Sequence, residues 1–242
     1  HPIGLYVCFT TELWERFSFY GMKYLLLLYL TKYHLFTDGQ GFDVLGSYAG
    51  LVYALPLIGG MIADRYLGMR KSVLFGGICL SLGHLLMAVE GHQAINYAAG
   101  SILTQDLTLA SGQFFAAGTT LSEAVMYRDT ASLNVFYFAL ALIVMGVGYL
   151  KPNISTIVGK LYSQDDPRRD GGFTIFYMGI NIGSFTATLL CGWLGETFGW
   201  RYGFGAAGIG MIIGLCTFMY GQRYLMGHAE PSDPEKLKRR VL

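Results

Sequence analysis

Apolar residues fall along this chain in six long blocks, at roughly 4–32, 44–65, 72–89, 133–158, 172–196 and 201–222. Between them stand short polar, glycine-rich or charged breaks such as TDGQGFD, RYLGMRK, SQDDPRRDGG and ETFGW. About 20 mostly apolar residues are enough for a helix to cross the hydrocarbon core of a bilayer. The pattern therefore predicts six transmembrane helices over residues 1–222 and an all-α integral membrane fold, with both ends of the bundle on one side. Residues 90–132 break the rhythm. The stretch INYAAGSILTQDLTLASGQFFAAG is apolar enough to be weighed as a seventh span, but it carries Asp106 and several Gly, Ser, Thr and Gln residues, and one more crossing would invert everything after it. It is read as an external insertion, a hairpin or a pair of short helices. Residues 223–242 end in the polar HAEPSDPEKLKRRVL and read as the start of a cytoplasmic linker.

Composition agrees with this picture. The chain is 53% hydrophobic and only 14% charged, against roughly 25% charged residues in an ordinary soluble domain, so the lipid bilayer is its natural solvent. The net charge of +1 is spread along the chain. A nucleic-acid partner, which needs a concentrated basic face, is thereby excluded. Cys8, Cys79, Cys191 and Cys216 sit singly in apolar stretches with no CxxC spacing, which indicates neither a disulfide framework nor a metal site and marks them as small core residues. His1 and Pro2 do not resemble a signal peptide, so the first helix is expected to remain in the protein, and the missing start methionine suggests a trimmed chain.

Lysine and arginine set the orientation, because positive residues in short loops stay cytoplasmic. Arg65, Arg70, Lys71, Lys160, Arg168, Arg169, Arg223, Lys236, Lys238, Arg239 and Arg240 lie on one side, and only Lys32, Arg128 and Arg201 on the other. The amino terminus is expected inside. Arg16, Lys23 and Lys151 are left within the membrane.

Those three have company. On a helix, Glu12, Glu15, Arg16, Phe19 and Lys23 share one face, with Tyr20 at its margin. A charge at the bilayer centre costs about 2.5–3.5 kcal/mol on the most lenient scale, so this face must look into a bundle or a water-filled cavity. A structural ion pair needs one carboxylate and one cation. Two of each on one stripe point instead to an ion or proton pathway. Lys151 in GVGYLKPN is a candidate partner from the fourth block, placed before Pro152, which can kink the helix there. In GGMIADRYLGMRK, Asp64 next to Arg65 could cap or brace a helix end, or merely belong to a positive loop. Asn181 in FYMGINIGSF suits a helix-to-helix hydrogen bond as well as a ligand contact, and Tyr53 suits packing as well as binding.

These stretches carry a family likeness. ELWERFSFYGM resembles the ExxERFxYYG motif of the proton-coupled oligopeptide transporters, a branch of the major facilitator superfamily. GGMIADRYLGMRK resembles their signature across helices two and three, GYLKPNIS their fourth-helix lysine motif, and FTIFYMGINIGSF their fifth-helix signature. The resemblance implies a major facilitator fold of two six-helix halves, of which this chain supplies the first; the carboxy-terminal half is missing. It implies that Glu12, Glu15, Arg16 and Lys151 couple protons, and that Tyr20, Lys23, Tyr53, Lys151 and Asn181 line a site for di- and tripeptides. Asp64, Arg65 and Pro152 would serve gating or structure. No cofactor is expected beyond the proton gradient, and no enzymatic activity: Glu12 and Glu15 are one turn apart beside an arginine, unlike paired carboxylates that flank a substrate. Phe19 stands where the family has a tyrosine and Lys23 where an arginine is common, and Gly46 replaces the second-helix histidine of the animal members, so the chain looks bacterial, with the inner membrane as its location. A related carrier of another small anion such as nitrate, and a half-transporter acting as a membrane scaffold, are the alternative readings.

Overall fold

The computed structural model describes residues 1–228, and each predicted block becomes one long helix within it. These are α1 (Ile3–Leu28), α2 (Asp38–Ile62), α3 (Met69–Met87), α4 (Thr130–Lys160), α5 (Arg169–Phe198) and α6 (Trp200–Gly221). α1 and α2 each run on into a π-helical turn, Tyr29–Tyr33 and Ala63–Leu67. Lys236, Lys238, Arg239 and Arg240, with most of the expected linker, lie outside the described residues.

Local chemistry sets the boundaries. Thr37 and Gln40 form a reciprocal capping box at the start of α2, satisfying two backbone donors that would otherwise be orphaned. The Asp129 side chain accepts from Ser132 N at the start of α4. α4 then passes through Pro152 without ending.

The helices form one bundle with α1 at its centre, packed mainly on α5 and α6 and touching α4 and α2 on its other side. Leu5, Cys8, Met22, Leu25 and Leu26 are fully buried. Close approaches of backbone set the spacing. Gly59 of α2 faces the backbone carbonyl of Gly148 on α4, and a Cβ at residue 59 would run into that oxygen. Pro152 has no N–H to give this carbonyl, so the groove where α2 comes nearest is the place where α4 lacks a ladder bond. Gly183 of α5 meets the Leu13 carbonyl of α1 in the same manner.

Among the described residues four helical stretches, Asp38–Leu67, Thr130–Lys160, Arg169–Phe198 and Trp200–Tyr224, are apolar and long enough to cross a membrane by composition alone. α1 falls outside that set although it is 26 residues long, because it carries four ionisable residues. Its charged face is turned into the bundle. α3, 19 residues long, opens with Arg70 and Lys71. The six long helices pack together into one bundle. Of the cysteines, Cys8, Cys79 and Cys191 are buried as expected, but Cys216 is exposed on α6.

The 90–132 segment is a ribbon, which corrects the alternative of two short helices. β1 (Ile95–Tyr97) pairs antiparallel with β4 (Val125–Tyr127), and β2 (Leu107–Thr108) with β3 (Phe114–Phe115). Ile102 and Thr120 bridge between the two pairs. Gly112, at φ 84°, closes the inner turn. Leu103, Leu107, Leu121 and Val125 form a small core of their own.

Candidate functional site

The charged stripe of α1 is buried as a unit. Glu12 is 2% exposed, Glu15 0% and Arg16 3%. The Arg16 guanidinium forks onto Glu15: Nε donates to Oε2, and Nη2 donates to Oε1 at 2.6 Å. The same Nε lies 3.3 Å from Glu12 Oε1, one turn back. Arginine suits this place because its planar fork meets a carboxylate bidentately, and breaking such a pair leaves an uncompensated buried charge. Among the described residues the second Glu12 oxygen, Oε2, has no hydrogen-bond partner, and neither has the neighbouring Thr11 hydroxyl. Glu12 is thus held by one oxygen and Glu15 by two.

Arg16 also lies 4.9 Å from the centroid of the Phe19 ring, a geometry in which a desolvated cation is attracted to the ring face. Phe19 meets Tyr20 edge-on at 5.2 Å and stacks on Tyr48 of α2 at 6.3 Å. An aromatic chain therefore leads from the charge cluster into the space between α2 and α4.

Lys151 does not complete the cluster as a direct ion pair: among the described residues no carboxylate lies within 4.0 Å of it. Its ammonium sits 5.8 Å from the Tyr53 ring centroid instead. Tyr53 is 71% exposed, so it neither packs its ring nor ties off its hydroxyl within this bundle. Tyr20 and Lys23 are half-buried. Asn181 is exposed and donates to Tyr177 O of its own helix at 3.3 Å. Asp64 and Arg65 are exposed in the π-helical turn after α2. Asp64 does not cap α3, whose N-cap is Gly68 with no side-chain bond. Pro152 lies one residue beyond Lys151, with Asn153 Nδ2 donating to Tyr149 O at 2.7 Å.

One residue escaped the sequence reading. Tyr48 is 3% exposed and its hydroxyl has no partner among the described residues. Its spacing from Val44, Leu51 and Val52, one turn to either side, carries no signal that separates it from a packed aromatic. No group of three metal-binding side chains occurs among the described residues.

Comparison with known proteins adds an independent line. The model of the POT family matches residues 70–241. The uncharacterized transporter YclF of Bacillus subtilis (strain 168) is 38% identical over 246 residues, covering 99% of this chain and 42% of its own length. Dipeptide and tripeptide permease A of Erwinia pyrifoliae is 32% identical over 232 residues, covering 96% and 39%. The crystal structure of a peptide transporter POT in complex with sulfate superposes with a TM-score of 0.76 at 33% identity, over 100% of this chain and 43% of that one. The chain thus spans less than half the length of the curated relatives it matches.

Proposed function

Because the chain belongs to the POT family, whose members are transporters and not enzymes, we propose that it is the amino-terminal half of a proton-driven importer of di- and tripeptides working by alternating access. Residues 1–222 form the bundle, residues 223–242 begin a linker, and a second six-helix half completes the protein. The setting is a bacterial inner membrane with the amino terminus inside, in accord with the placement of the basic residues. No cofactor is needed beyond the proton gradient.

The observation that carries this reading is the buried Glu12–Arg16–Glu15 cluster. A scaffold gains nothing from three charges in the interior of its central helix. Among the described residues Glu12 Oε2 is the carboxylate oxygen of the cluster left unpartnered, so a proton can add there without breaking the Arg16–Glu15 fork. Protonation cancels one of the two negative charges facing Arg16 and frees that cation to re-aim. Lys151, loosely held over Tyr53, is the second movable cation, and a peptide carboxylate is its natural partner. Tyr20, Lys23, Tyr53 and Asn181 then complete the peptide-facing wall, with Asp64, Arg65 and Pro152 in gating or structural roles. Proton loading and peptide binding act on one set of charges, and each biases the same rocking of the two halves.

The test uses the intact natural transporter carrying this sequence, in proteoliposomes. Glu12→Gln and Glu15→Gln are each expected to abolish uptake driven by a proton gradient while leaving exchange of labelled for unlabelled peptide in place. Gradient-driven uptake that survives both substitutions overturns the coupling role.

A further inference from the structure

At the end of the bundle where α4 stops and α5 begins, a cavity of about 940 Å³ opens. That volume lies at the upper end of the range of roughly 300–1,000 Å³ typical of small-molecule pockets. Three of its lining residues are basic, and each comes from a different segment: Lys160 is the last residue of α4, Arg169 the first of α5, and His228 follows α6. Among the described residues no carboxylate lines it. Asp166, in the loop between the two helices, is taken by Arg168 at 2.8 Å, and Asp165 and Asp170 are exposed and lie outside the wall. Basic groups brought together from separate elements repel one another unless negative charge lies between them.

On their own, Lys160 and His228 amount to an ordinary basic helix end. A cation suits a helix C-terminus, and His228 Nδ1 donates to the Lys160 carbonyl at 2.8 Å. Arg169 is different. It is half-buried at the start of the 30-residue α5, where the helix dipole repels a cation and attracts an anion. Among the described residues it makes no ion pair, and its Nε is buried without a partner. Its guanidinium lies 5.8 Å from the Phe173 ring centroid, one turn along α5. Nη2 also passes close to α4 at Gly159, 3.8 Å from where a Cβ would stand. With Nε enclosed, the Nη edge is the part of the fork that an occupant of the cavity can meet, and such an edge matches phosphate oxygens bidentately. The Ser163 hydroxyl and the Gln164 amide, both exposed on the loop, add neutral donors to the same wall.

We propose that this cavity is an anion site for a phosphate group of net negative charge, with Arg169 as its anchor and Lys160 and His228 beside it. The phosphate comes from an anionic phospholipid head group, which basic pockets at the ends of membrane helices meet directly, or from a soluble phosphate; the oxygens recognised are the same. An occupied site ties α4, α5 and the chain after α6 together. The proposal does not depend on the peptide-transport reading.

The experiment uses the intact transporter purified in neutral detergent, with dioleoylphosphatidylglycerol, dioleoylphosphatidylcholine or inorganic phosphate added, the last at ionic strength matched with chloride. Native mass spectrometry reads bound lipid, and thermal melting reads stabilisation. Phosphatidylglycerol retained as one molecule per transporter, in preference to phosphatidylcholine, identifies a lipid head group. A rise in melting temperature with inorganic phosphate identifies a soluble ligand. In either case Arg169→Gln should weaken binding roughly tenfold or more, the worth of one hydrogen bond to a charged group. Lys160→Gln, at an exposed position, should weaken it in the same direction and serves if Arg169→Gln does not fold. Lys71→Gln removes an exposed basic charge away from the cavity and should change nothing. Equal losses in Lys71→Gln would mean general attraction to basic loops and overturn the site. Binding of neither probe to the unmodified protein overturns it as well, as does binding that survives both cavity substitutions.

Discussion

Arg16 is the residue on which the centre of the bundle depends. Its guanidinium neutralises Glu15 through two hydrogen bonds and Glu12 through one close contact, all with almost no solvent exposure. Arg16→Ala strands two carboxylates in the interior, and breaking buried pairs of this kind costs about 3–5 kcal/mol. The expected outcome is loss of folded protein, read as yield of monodisperse material in detergent. Arg16→Lys keeps the charge but replaces a planar fork by a point donor, and should give folded protein with a lower melting temperature. At this scale the sequence was informative about which residues gather and less so about how. The spacing of Glu12, Glu15 and Arg16 placed them on one face, and they are one cluster. Lys151 was named as their partner from the fourth helix; among the described residues it makes no direct ion pair, and its ammonium lies 5.8 Å from the Tyr53 ring centroid. A lysine on another helix approaches a given carboxylate only if crossing angle and helix register allow, and neither is written in local spacing.

At the scale of elements, glycines set how closely the helices lie. The Gly59–Gly148 contact brings α2 onto α4 where Pro152 has removed the donor for the Gly148 carbonyl. A methyl at residue 59 points at that oxygen, so Gly59→Ala must force the helices apart. The cost is expected to be about 1–3 kcal/mol, seen as a lower melting temperature and poorer uptake. Gly50, on the same helix with nothing within 4 Å of an added Cβ, is the control. Gly50→Ala should be neutral or slightly stabilising, because alanine is the better helix former by about 1 kcal/mol. Equal losses in both variants would assign the effect to α2 propensity and not to the contact. The six helices were legible because a spanning helix announces itself by a long apolar run. The ribbon was not, since its strands are two or three residues long and take shape only when paired across a loop.

At the scale of the whole molecule, the end of the bundle that carries the ribbon is tied together by a clamp. Arg128 donates to His34 O and Leu35 O, both at 2.8 Å, and its guanidinium lies 4.6 Å from the Phe36 ring centroid. Tyr29 and Tyr33 donate to Glu90 O and Gly91 O at 2.9 Å, while Arg201 N donates to Glu90 Oε1 at 3.1 Å. α1, α4 and α6 and the chain leaving α3 are thereby joined. His34 sits buried among Tyr29, Tyr33 and Phe36. Burial, and then the Arg128 charge, push its imidazole down to about 4. The folded state therefore prefers neutral His34, and its contribution to stability is complete above the ordinary value of about 6.5 and lost as pH falls toward 4. Asp129 acts in the same sense lower down. Burial pushes its carboxyl up, but hydrogen bonds from Ser132 and His92 outweigh that and hold it below the usual range. The melting temperature in detergent is expected to fall between pH 6.5 and 4, by an amount equivalent to roughly 2–3 kcal/mol. His34→Phe should flatten that part of the profile. An unchanged profile in this variant would assign the acid sensitivity to other groups.

The sequence by itself determined what is local or periodic. The apolar runs specified the helices, the glutamates and arginine on one face specified an interior charge cluster, and the order of the motifs pointed to a family that the comparisons then bore out. Tertiary structure decided what depends on two elements meeting: that Glu12 Oε2 is left without a partner among the described residues, that the Lys151 ammonium lies near the Tyr53 ring, that Gly59 meets the Gly148 carbonyl, and that the Tyr48 hydroxyl is buried without a partner among the described residues. The physical reason is common to all four. Helical spacing determines which side chains share a face, whereas the distance and register between faces come from how closely backbones can pack, and in this bundle glycine pairs far apart in the chain set that distance.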